Sequence, residues 1–195
     1  HSEELLKLNE LAYKLRERKF KHGAISFESV EIKFRLDEQG KPLGVYVKER
    51  KDAHKLIEDY MLLANKKVAE YIAKKGKGKQ KLTFVYRSHD SPKEDALLSF
   101  SQFASKFGYK IDMSSGRETA RSLNFLMADV EGKKEQNVLT QLAIRSMAKA
   151  IYTTKKHSHY GLAFDYYTHF TSPIRRYPDV MVHRLLELYL ADGKS

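Results

Sequence analysis

The stretch from His159 to Leu186, HYGLAFDYYTHFTSPIRRYPDVMVHRLL, constrains the fold more than any other, because two prolines fix where its backbone can be helical. Proline has a locked φ and no N–H, so a helix tolerates it in the first turn and is broken by it inside. Pro178 therefore opens the last helix, to about Leu190, and Pro173 opens only a short turn. Ser172 suits an N-cap ahead of Pro173, which would aim the amides around Ile174 and Arg175 outward as an anion site. Arg175 and Arg176 stand beside it with forked donors suited to phosphate oxygens. A solvated arginine pair at an ordinary helix start is the plainer alternative. Against it, Phe164, Tyr166, Tyr167, His169 and Phe170 offer more ring faces than one strand buries on a single side.

Upstream, hydrophobic spacing divides the chain. Leu5, Leu8, Ala12 and Leu15 recur at helical intervals from Glu3 to about Lys19. Val30, Ile32, Phe34 and Leu36 alternate with charged residues as a half-buried strand does, and a turn over 37–42 leads to a return strand from Leu43. A long helix follows over 52–75 and closes in the basic loop KKGKGKQK. A short β-prone piece at 84–86 precedes a turn over 90–95 that caps the next helix, a cap over 114–118 ahead of a helix to about Val130, and a further helix expected from about Gln136 to Tyr152. The chain then reads β-like from Ala163 to Thr168. The expected class is α+β, rich in helix, with a β-hairpin and short strands.

The charge is +11, from 36 Lys+Arg against 25 Asp+Glu, which predicts attraction to a polyanion, nucleic acid or an acidic membrane surface. No apolar run is long enough to span a bilayer, and HSEELLKLNELAYKL lacks the layout of a signal peptide, so a cytoplasmic protein with no membrane partner is expected. The chain has no cysteine, which excludes disulfides and Cys-based zinc sites. A phosphodiesterase working through two cations needs clustered carboxylates. Here the aspartates are scattered, and His54, His89 and His157 lack metal-ligand spacing, so no metal ligands are assigned.

HFTSPIRRYPD, from His169 to Asp179, resembles the C-terminal signature of the RNB-type catalytic domain in the ribonuclease II and ribonuclease R family of 3′-to-5′ exoribonucleases. The ribonuclease R branch is the nearer. FESVEIKFRLDEQGKP (27–42) and LIEDYMLLAN (56–65) extend the resemblance over nearly the whole chain. It implies that residues 1–195 are a C-terminal portion of that domain, truncated at both ends, from a Mg²⁺-dependent hydrolase that degrades single-stranded RNA to nucleotides. The family's metal-binding aspartates lie upstream of the region resembled, so the isolated chain is expected to bind no Mg²⁺ and to be inactive. Apolar surface left bare by truncation could drive self-association.

The resemblance also places residues. Arg175 matches the arginine at the scissile phosphate, and Arg176 a basic position for which a surface ion pair is as good a reading. Glu58 matches the glutamate that reads a ribose near the 3′ end through its 2′-hydroxyl. From sequence alone, a solvated ion pair would rank first for Glu58. Phe27 falls where a phenylalanine can stack on a base, although a strand-starting core residue fits equally. Tyr167 and His169 flank the arginine as further RNA-binding candidates, with aromatic packing as the plainer alternative. The competing functions are a noncatalytic basic RNA-binding module and a basic scaffold whose arginines only stabilise structure.

Overall fold

A computed structural model describes residues 1–26, 31–48, 50–75 and 82–191. Helix α1 (Ser2–Lys21) carries acidic residues in its first turn and basic ones in its last, matching the helix dipole at both ends. Strands β1 (Glu31–Leu36) and β2 (Pro42–Lys48) pair antiparallel, with Ile32 opposite Val47 and Phe34 opposite Val45. Helix α2 (Asp52–Lys75) is followed in the chain by a short strand β3 (Tyr86–Ser88), then α3 (Glu94–Ser105), α4 (Gly116–Asp129) and α5 (Gln136–Ser146). Strand β4 (Ile151–Thr153) pairs antiparallel with β3, and a 3-10 turn at Tyr160–Leu162 precedes α6 (Tyr177–Leu190). The class is the helix-rich α+β that the sequence implies. No helix among the described residues is long and apolar enough to cross a membrane.

Two cores organise these elements. The first packs α3, α4 and α5 around Leu97, Phe100, Leu123, Leu126 and Leu139. Ser115 caps α4, its hydroxyl accepting from the Glu118 amide at 3.2 Å. The second core joins the C-terminal half of α2, through Ala69 and Ile72, to Phe84, Tyr86 and the α6 residues Val182 and Tyr189. This second core positions the candidate site.

Three expectations are corrected. Helix α5 stops at Ser146 instead of reaching Tyr152, because Ile151, Tyr152 and Thr153 are strand formers that pair with β3. Residues 163–168 form no strand. Ala163 takes the left-handed conformation at φ 51°, and only Phe164 makes a single β-bridge, to His159. Finally, the hairpin is bare on both sides: Ile32 and Phe34 are each 61% exposed and Val45 64%, so its alternation reflects an apolar face that no other described element covers.

Candidate RNA-facing site

A tight turn links the irregular segment after Phe164 to α6. The Ser172 carbonyl accepts from the amides of Arg175 (3.3 Å) and Arg176 (3.1 Å). Asp179, fully buried in the first turn of α6, accepts from the Ser172 amide and the Arg176 guanidinium, both at 2.8 Å. These bonds correct the anion site expected from outward amides. The Arg175 amide points back to the turn, and Ser172 starts a turn while the helix begins at Tyr177, with Arg176 as N-cap. A buried carboxylate must find donors, and the turn supplies them.

The two arginines thus differ. Arg176 is largely buried and its guanidinium is held by Asp179. Arg175 is exposed, and its guanidinium has no hydrogen bond or ion pair among the described residues. It is a fixed cation held out on a braced turn.

Helix α2 braces the other end. Asn65, 3% exposed, accepts from the amides of Phe170 (2.9 Å) and Thr171 (3.2 Å) and donates to the Tyr167 hydroxyl (3.1 Å). Glu58 lies on the same face of α2, about two turns toward the N-terminus. It is half-exposed and paired with Arg50. Its neighbour Asp59 faces α1 instead, buried against Arg16 (2.8 Å) and Lys19 (3.8 Å).

Packed rings lead into the turn. Tyr167, 5% exposed, packs edge-on to His159 (5.2 Å between centroids) and His169 (5.7 Å). His169 Nδ1 shares a hydrogen bond with the Tyr152 hydroxyl (2.7 Å), and the Arg87 guanidinium lies 4.7 Å from the Tyr152 ring centroid. Burial, followed by the Arg176 charge and then those of Arg87 and Arg175, pushes His169 down to about 4. Burial, with His89 beside it, pushes His159 down to about 3. Both imidazoles are neutral near pH 7, so the positive charge of this surface comes from arginine. Burial also raises the Tyr167 phenol, keeping it a neutral hydrogen-bonding group.

The structure therefore gathers Arg175, Arg176, Tyr167 and His169 around one turn and sets Glu58 farther along the helix that braces it. Phe27 lies outside the described residues, as does most of KKGKGKQK. Sequence reasoning missed Asn65, Asp179, Arg87 and Tyr152. The position of Asn65 on the Glu58 face of an otherwise apolar stripe was the available signal. Among the described residues, no three His, Asp or Glu side chains group closely enough to hold a metal ion. Among the described residues the buried aspartates are Asp59, paired with Arg16, and Asp179, whose Oδ1 is paired with Arg176. The surface is suited to gripping an anion beside aromatic and sugar-sized polar groups.

The chain is similar to known proteins in both sequence and fold. It is 39% identical over 186 residues to ribonuclease R 1 of Lactococcus lactis, covering 95% of this chain and 22% of that protein. Its fold is similar to that of Mycoplasma genitalium RNase R in complex with double-stranded RNA, at a TM-score of 0.84 and 26% identity, covering 95% of this chain and 32% of that one. It is also similar to yeast Ssd1, described as a pseudonuclease, at a TM-score of 0.63 and 25% identity, covering 75% of this chain and 18% of that one. The chain thus spans about a fifth of the curated relative's length. The RNB domain profile matches residues 1–192, and with relatives this similar in sequence the chain belongs to the RNB domain family.

Proposed function

We propose that this chain forms the RNA-gripping part of the catalytic domain of a hydrolytic 3′-to-5′ exoribonuclease that releases nucleotides from single-stranded RNA. The observation that carries this reading is Arg175, an exposed guanidinium with no hydrogen bond or ion pair among the described residues, on a turn fixed at both ends. A cation so held needs little reorganisation as charge builds on a phosphate, which favours the transition state over the bound ground state. Glu58 would accept from a ribose hydroxyl after exchanging its contact with Arg50, and a 2′-hydroxyl is what separates RNA from DNA at such a point. Arg176, Tyr167 and His169 shape the wall beside the phosphate. Mg²⁺ would be held by carboxylates outside residues 1–195 and would supply the activated water. By itself the chain would then bind RNA without cleaving it.

The test is a single-turnover assay of the full-length protein on a 3′-labelled RNA, with binding measured separately. Arg175→Ala is expected to slow cleavage about 100-fold or more while changing the dissociation constant by no more than about threefold. Equal loss of rate and affinity would overturn the catalytic role. In the same assay Glu58→Ala should narrow the preference for RNA over the matching DNA. The similarity to a pseudonuclease favours a second reading, a noncatalytic RNA-binding module. Failure of the unaltered full-length protein to release nucleotides at any Mg²⁺ concentration would select it.

A further inference from the structure

Asn65 is more completely buried than a polar side chain ordinarily is, and its three hydrogen bonds are all directed at one segment. Its Oδ1 accepts the consecutive amides of Phe170 (2.9 Å) and Thr171 (3.2 Å), and its Nδ2 donates to Tyr167 (3.1 Å). That segment cannot brace itself, because it forms no strand ladder. Its other anchors include the Tyr167 carbonyl, which accepts from the Arg87 amide at 2.9 Å, the Thr168 hydroxyl, which donates to the Val85 carbonyl at 2.6 Å, and the Phe170 carbonyl, 2.8 Å from His183 Nε2 on α6. Beyond Thr171 the next fixed point is Asp179, holding Ser172 and Arg176. Arg175 thus stands between a clamp on α2 and a clamp on α6.

We infer that Asn65 is a positioning residue that sets the turn carrying Arg175 in register with the helix face carrying Glu58. An apolar residue would fill the same space, but it would leave two buried amides unpaired and free the turn to shift along α2. A displacement of about 1 Å at a group aimed at a reacting centre costs up to about 100-fold in rate. The inference rests on the proposed role of Arg175, and the test separates the two.

A double-mutant cycle in the full-length protein is read by single-turnover cleavage of RNA, RNA affinity and thermal unfolding. Asn65→Ala should reduce the cleavage rate about tenfold or more, with affinity within about threefold, and in an Arg175→Ala background it should reduce the rate less than about twofold. Asn65→Asp keeps an acceptor for both amides and should recover most of the rate. If Asn65→Ala does not fold, Asn65→Ser, whose hydroxyl cannot reach both amides, carries the same expectation. Equal losses in both backgrounds, or an unchanged rate in the single variant, would overturn the positioning role while leaving that of Arg175 intact. An unchanged rate in Arg175→Ala alone would instead overturn the reading on which it rests.

Discussion

His169 titrates against its surroundings. Burial and the neighbouring guanidinium groups hold it down to about 4, against an ordinary value of 6.5. As pH falls below about 6.5 the unfolded chain takes up a proton that the folded chain refuses, so the stability from the neutral imidazole is present above that pH and lost below it. His159, held down to about 3, adds to the same slope. Urea midpoints should therefore fall between about pH 6.5 and 5, above most carboxylate titration, and His169→Asn should flatten that slope. An identical slope in the variant would show that His169 is not the group responsible. At this scale legibility depended on distance along the chain. Arg175 could be singled out because its motif is contiguous, whereas the partners of Asn65 lie 102, 105 and 106 residues away. The resemblance gave Arg175 and Arg176 different roles, but the capture of the Arg176 guanidinium by Asp179 was not readable in the residues themselves.

Among the elements, α1 and α2 are joined by a charge as well as by apolar contact. Asp59 is 5% exposed and meets Arg16 and Lys19, themselves mostly covered. Removing the carboxylate leaves two cations facing each other in a poorly solvated seam, so Asp59→Ala should cost about 3 kcal/mol in urea unfolding. Asp59→Asn, which retains an acceptor, should cost clearly less; equal costs would mean that packing and not charge governs this contact. Helix boundaries set by prolines and caps were readable: Pro178 opens α6 and Ser115 caps α4. The end of α5 was not, because helical spacing continues past Ser146 and only pairing with β3 diverts the chain. The segment over 163–168 defeated strand reading for a related reason. Its backbone makes only isolated hydrogen bonds, to His159, Tyr160 and the distant Arg87, which leave no period in the sequence.

For the molecule as a whole, the α+β class and the basic surface followed from pattern and composition, while the bare hairpin did not, because alternation cannot say whether a face finds a cover. Its apolar row of Ile32, Phe34, Val45 and Val47 stays more than half exposed in a chain of charge +11. Residues 1–195 on their own should therefore self-associate at concentrations where charge is screened by salt, seen as a rising sedimentation coefficient. Phe34→Lys with Val45→Lys should return the chain to a monomer; persistence of the larger species would place the contact elsewhere. The length of α2 has a mechanical consequence. A helix of 24 residues is about 36 Å long, and here its far end is embedded in the second core while its near end is tethered to α1. It acts as a beam with Glu58 and the turn that carries Arg175 mounted on one side. Loosening either anchorage would swing both together, so the amides of Phe170 and Thr171 should exchange hydrogen with the same opening energy as those in the middle of α2.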